Sequence, residues 1–215
     1  MVHNLSLTNS VVNQFLFELR HKDIQNDRSK FRTNLKRLGW ILAYELSKEL
    51  GYEDRKFQTP LAEMTIPLVH TQPVILAILR AAVPFLDGFL DVFDQADTGF
   101  IGAYRRKDVK PVDINLDYLA IPGTAGKPVI LVDPMLATGK SVAKVIDRLM
   151  DEGEPAHIHL VCAVAAPEGI DYISNHLEND RFTIWAGAVD QFLDDRSYIV
   201  PGLGDAGDLC FGPKN

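Results

Sequence analysis

Four nearly unbroken apolar runs mark the chain: PVILAIL (73–79), PVILV (128–132), HIHLVCAVAA (157–166) and FTIWAGAV (182–189). A strand with one wet face alternates apolar and polar residues, so runs like these must be covered on both faces. Between them, apolar residues recur at three- and four-residue spacing, which predicts helices from about Pro84 to Phe93, Ser141 to Met150 and Glu168 to His176. Buried strands alternating with amphipathic helices dictate an α/β fold: a mostly parallel central sheet with helices on both faces. TGFIGAYR (98–105) and VDINLDYLAI (112–121) read as two further strands. No repeat, low-complexity tract or long linker interrupts the 215 residues, so residues 1–215 read as one domain.

The flanks read differently. The first fifty residues read as helical: Asn9 or Ser10 can cap a helix through about Arg20, and Phe31, Leu35, Leu38, Ile41, Leu42 and Leu46 form a stripe that Gly51 ends. KFQTPLAEMTIPL (56–68) is interrupted by Pro60 and Pro67, which suits a protruding hairpin, a β-arm over about 55–68, better than a central strand.

Composition excludes several functions. A net charge of −7 argues against a general nucleic-acid-binding surface, so any phosphate chemistry must be local. No apolar run reaches the length of a membrane span, and the N-terminus lacks a signal-peptide pattern, so a cytoplasmic protein is expected. Cys162 and Cys210 have no neighbours at metal-ligand spacing, and Cys162 reads as a buried thiol. His157 and His159 alternate on a strand, which suggests solvent-facing or edge positions.

In a parallel sheet, ligands bind beyond the carboxyl ends of the strands. After PVILV comes DPMLATGKS, whose Gly139-Lys140-Ser141 looks like the end of a nucleotide-binding P-loop. That motif requires glycine where Pro134 stands, and proline has neither the conformational range nor the N–H that the loop uses. What remains is an acid and a small-residue turn into a helix. The helix-start N–H groups and the hydroxyls of Thr138 and Ser141 can hold a phosphate, and Asp133 can accept from sugar hydroxyls. The same segment also reads as Thr138 capping a helix beside a loop acid. Arg80 follows one strand, and Arg105 and Arg106 follow another; guanidinium groups suit a diphosphate, or a surface ion pair. In YIVPGLGDAGDLCFG (198–212), Gly202, Gly204, Gly207 and Gly212 permit close approach to a flat ligand, or form a flexible tail.

FQTPLAE, ILRA, DGFLD, IGAYR, VILVDPMLATGKS, VAAPEGI and YIVPGLGDAGDLCFG, in this order, resemble the uracil phosphoribosyltransferase family over nearly the full length. The resemblance implies the phosphoribosyltransferase fold and the reaction of uracil with 5-phospho-α-D-ribose 1-diphosphate (PRPP), giving UMP and diphosphate, with Mg2+ carried on PRPP. It implies a PRPP site made of Arg80, Arg105, Asp133, Pro134, Met135, Leu136, Ala137, Thr138, Gly139, Lys140, Ser141 and Asp205. Asp205 and Arg105 are the implied catalytic residues, and Ile199, Gly204, Asp205 and Ala206 the implied uracil contacts within a C-terminal segment 190–215. A homodimer or homotetramer is expected, GTP is a candidate activator, and neither nucleic acid nor membrane is an expected partner.

Three departures fall near this site. Ala81-Ala82-Val83-Pro84 stands where the family has Ala-Gly-Leu-Gly, Lys140 replaces a glycine of the phosphate loop, and Leu209 stands where a basic residue is common. The first suggests a methyl group obstructing the diphosphate. It motivates an alternative, a non-catalytic relative that binds PRPP or a nucleotide and regulates a partner.

Overall fold

A computed structural model describes residues 1–105, 114–178 and 180–213, and of residues 103–105 and 114–117 the backbone only. Arg106, Lys107 and the first two residues of the 112–121 segment lie outside the described residues.

The chain opens with β1 (Val2–Asn4), α1 (Val11–Arg20) and α2 (Arg28–Ser47), followed by β2 (Tyr52–Gln58), β3 (Glu63–Val69), β4 (Val74–Leu79) and α3 (Val83–Leu90). It continues through β5 (Asp97–Arg105), β6 (Ile114–Ala120), β7 (Pro128–Val132), β8 (Met135–Leu136), α4 (Lys140–Glu152) and β9 (His157–Ala165). The remainder is α5 (Pro167–His176), β10 (Phe182–Val189), β11 (Phe192–Leu193), β12 (Ile199–Val200) and α6 (Ala206–Phe211).

The central sheet runs β1-β10-β9-β7-β4-β5-β6, with β8 beside β9. All its pairings are parallel except β5 with β6. Alternate strand residues divide between two cores. Ile75, Ala77, Ile130, Val132 and Val161 face Leu35, Leu38, Leu42, Phe85 and Phe89 of α2 and α3. Val74, Leu76, Val129, Leu131, Leu160 and Cys162 face Val142, Val145, Ile146 and Leu149 of α4 and Ile173 of α5. Full burial of side chains this size contributes about 1.5–3 kcal/mol each, which is why both faces of the sheet must be covered.

Helices α2 and α3 cross in backbone contact. A methyl group on Gly39 would stand 2.6 Å from the carbonyl oxygen of Phe85, and one on Gly88 would overlap the carbonyl oxygen of Lys36. The β-arm is a separate two-stranded antiparallel hairpin of β2 and β3, pairing Tyr52 with Val69 through Gln58 with Glu63. Ser10 caps α1 by accepting from the Val12 N–H.

Two expectations are corrected here. The N-terminal fifty residues are not all helical, because Val2–Asn4 adds an edge strand along Ile184–Ala186. His159 is not at a solvent-facing position: it is buried, with its Nδ1 accepting from Trp185 Nε1 at 3.2 Å. Its strand lies between β10 and β7 and is not at a sheet edge, and the Trp185 ring beside the imidazole shields it from solvent. Burial, helped by the neighbouring His157 and His3, pushes its pKa down to about 3. His157 and His159 line a cavity of about 430 Å3 with Glu49, His70 and Thr183. It lies at the amino ends of the strands, opposite the loop that follows β7.

Candidate active site at the carboxyl ends of the strands

Val132 ends β7, and the chain is then tied to β9 rather than free. The Asp133 N–H donates to Val161 C=O, and Pro134 C=O accepts from the N–H groups of Ala163 and Val164. Met135 and Leu136 form the short strand β8, and Leu136 C=O accepts from Ala166 N–H. Asp133 Oδ1 accepts from the Met135 N–H at 3.2 Å, which turns the carboxylate over the start of the loop. Pro134, Met135 and Leu136 thus support the loop with their carbonyl groups, and Ala137 through Ser141 form its apex.

Gly139, not Thr138, is the N-cap of α4; it takes φ 73°, ψ −15°, a left-handed conformation that favours glycine. The first helical bond runs from Ala143 N–H to Gly139 C=O, so the N–H groups of Lys140, Ser141 and Val142 have no acceptor in a preceding turn. Together with the positive end of the helix dipole, they form an arrangement that can hold an anion. Lys140 is the first helical residue, is exposed, and is not among the residues with positive φ. It stands in the loop without backbone strain.

Sequence reasoning missed the residue that backs this loop. Gly169, in the first turn of α5, lies under it: a methyl group there would overlap the carbonyl oxygen of Ala137 and stand 2.9 Å from that of Leu136. The signal was a glycine following Pro167-Glu168 at a helix start, where a better helix former is expected.

Arg80 follows β4 directly. Its Nη2 donates to Asp208 Oδ1 at 2.8 Å and to Gly212 C=O at 3.0 Å, and its Nε is buried without an acceptor among the described residues. The ion-pair reading of this arginine is therefore realised, and its partner is the C-terminal segment. Arg105 ends β5; its side chain, and Arg106 entirely, lie outside the described residues. Ala82 is fully buried in the core cluster with Phe85 and Phe89. Its methyl group fills the core, so the expectation that it obstructs the diphosphate is corrected. Pro84 sits in the first turn of α3, where its missing N–H costs nothing.

Besides Arg80, further contacts order the C-terminal segment. Arg20 grips Asp190 with two N–H bonds of 2.7 and 2.8 Å, and Asp190 Oδ2 accepts from Gly202 N–H at 2.9 Å. Glu168 Oε1 accepts from Leu193 N–H at 2.9 Å. Arg32 Nη1 donates to Cys210 C=O at 2.8 Å. Asp205 caps α6, its Oδ1 accepting from Asp208 N–H at 2.9 Å. Gly204, at φ 87°, and Asp205 are exposed, whereas the side chains of Ile199 and Ala206 belong to the core. A ligand would meet Ile199 through its main chain. Leu209 packs beside the core and 3.8 Å from a methyl position on Gly204, so it is a packing residue and not a purely surface one.

Residues 6–213 match the sequence model of uracil phosphoribosyltransferase. The chain belongs to the uracil phosphoribosyltransferase family. Among relatives of this family, a uracil phosphoribosyltransferase from Porphyromonas gingivalis is 43% identical over 214 residues, covering 99% of each chain. One from Pyrococcus furiosus is 40% identical over 202 residues, covering 93% of this chain and 85% of that protein. The solved AQ2163 protein from Aquifex aeolicus superposes with a TM-score of 0.87 at 31% identity, covering 99% of this chain and 98% of that one. A hypoxanthine phosphoribosyltransferase from Staphylococcus aureus, at TM-score 0.51 and 13% identity over 79% and 83% of the two chains, shares the fold alone.

Proposed function

We propose that the protein joins uracil N1 to the anomeric carbon of PRPP, releasing diphosphate and forming UMP. The observation that carries this reading is the helix-start loop, with Asp133 over its first turn, facing the same sheet end as Arg80 and an ordered glycine-rich segment. The N–H groups heading α4, with Thr138 and Ser141, take the 5′-phosphate, and Asp133 takes the ribose hydroxyls. Arg80 and Arg105 face the diphosphate. Gly204 to Ala206 and the Ile199 main chain read the base.

Displacement at an anomeric carbon builds positive charge on the ribose, so the site mainly positions reactants and balances charge. Asp205 Oδ1 caps α6, and its carboxylate is our candidate for stabilising that charge. Uracil N1 is acidic enough that main-chain contacts to the ring carbonyls favour the nucleophilic form, and no strong base is required. Magnesium would arrive on PRPP: the carboxylates at these subsites are few, so substrate oxygens and water complete its shell. With its methyl group buried in the core, Ala82 lends no support to a non-catalytic relative.

Homodimers or homotetramers belong to the same reading, since the β-arm exposes Phe57, Leu61, Met64, Ile66 and Leu68. Activation by GTP would appear as a higher kcat/KM for uracil. Among the described residues, no helix is long and apolar enough to cross a membrane, and a cytoplasmic location is part of the proposal. Arg105→Ala tests the diphosphate assignment: PRPP affinity should fall far more than uracil affinity, and unchanged PRPP affinity would remove Arg105 from the site.

A further inference from the structure

Arg80 is committed in a way that bears on how it can hold an anion. A guanidinium group grips an oxyanion with two parallel N–H bonds through one of two edges, Nε with Nη2 or Nη1 with Nη2. Nη2 belongs to both edges. Its two N–H groups are directed to Asp208 Oδ1 and Gly212 C=O, 128 and 132 positions away in sequence. With Asp208 and Gly212 in place, neither edge is open for a bidentate grip. The buried Nε–H has no acceptor among the described residues, so the first edge holds one donor unsatisfied.

We propose that Asp208 is a positioning residue that makes the C-terminal segment and the substrate diphosphate compete for the Arg80 guanidinium. This rests on the reading of Arg80 as a diphosphate-facing residue. An oxyanion that takes the Nε–Nη2 edge supplies the acceptor Nε lacks and displaces the Asp208 carboxylate. Asp208 is 44% and Arg80 32% exposed in their side chains, so the pair opens without unfolding the core. When diphosphate departs, Asp208 recaptures Arg80 and the segment is again bolted to the end of β4. The backbone N–H of Asp208 is held by Asp205 Oδ1, so the exchange takes place within one helical turn of the carboxylate assigned to the ribose. Asp208 therefore weakens diphosphate binding and strengthens the base-binding segment.

Calorimetric titration with magnesium diphosphate, alongside KM for uracil, tests this on the full chain. Asp208→Asn should bind diphosphate about threefold to fivefold more tightly, as expected for loss of one half-exposed competing ion pair. Its KM for uracil should rise, and Asp208→Glu should restore both values toward wild type. A residue that merely anchored α6 would weaken both ligands together. Diphosphate affinity in Asp208→Asn equal to or below wild type overturns the proposal, provided Arg80→Ala weakens diphosphate. If Arg80→Ala leaves diphosphate affinity unchanged, the placement of Arg80 fails and the competition fails with it.

Discussion

Gly139 and Gly169 lie against each other so closely that a methyl group on Gly139 would stand 2.9 Å from the carbonyl oxygen of Gly169. This contact seats the loop between β7 and α4 on the first turn of α5, and Gly139 also needs its positive φ. Gly169→Ala should push Ala137 outward, since its methyl group would overlap that residue's carbonyl oxygen. The expected result is a KM for PRPP raised about tenfold, with KM for uracil little changed and stability lowered by about 1–3 kcal/mol. Steady-state kinetics and a urea titration read both.

Asp190 carries the second prediction. Its side chain is 5% exposed and holds both Arg20 and Gly202 N–H. Asp190→Ala leaves the Arg20 cation largely buried without its partner, at a cost of about 3 kcal/mol. The C-terminal segment proposed to read the base should loosen first, so KM for uracil should rise more than KM for PRPP. An equal rise in both would mean that the segment is not a separate binding unit.

Much of this was legible because the apolar runs are long and local: β4, β7, β9 and β10 stand where their unbroken hydrophobicity put them, and Ser10 announced α1. What was not legible depends on partners far away in sequence. Val2–Asn4 is too short to show a period and becomes a strand only because Ile184 lies beside it. An ion pair was one reading of Arg80, but its partner Asp208 was not identifiable until the fold brought the two together. Gly39, Gly88 and Gly169 signal backbone contacts that no local pattern encodes. At the candidate site, the strand, turn and helix of residues 128–152 were readable from the local pattern, whereas the core position of Ala82 and the capping role of Gly139 were not.

Lys140→Gly provides a third prediction. Because Lys140 already has helical backbone geometry and an exposed side chain, glycine should retain activity. KM for PRPP should rise by less than about tenfold, since an exposed ammonium contributes on the order of 1 kcal/mol. A large gain in kcat on substituting glycine would show instead that lysine obstructs the loop.

His159 makes stability depend on pH. Its folded pKa of about 3 lies below the ordinary histidine value of about 6.5. The unfolded chain therefore binds the extra proton between these values, and stability falls as pH drops through that window, by up to about 1.4 kcal/mol per pH unit. Burial also lowers the pKa of His157, which adds to the slope in the same direction. His159→Gln keeps an acceptor for Trp185 Nε1 and should flatten the loss of Tm between pH 6 and pH 4. A wild-type slope in that variant would remove His159 as the cause.

Transfer of the phosphoribosyl group to uracil is measured by mixing the purified protein with uracil, PRPP and magnesium and following UMP and diphosphate over time. Equal amounts of both products are expected, formed only when all three are present and strongly reduced in Asp205→Asn. Binding of PRPP with no UMP under magnesium or manganese would contradict that expectation and identify the chain as a non-catalytic member of its family.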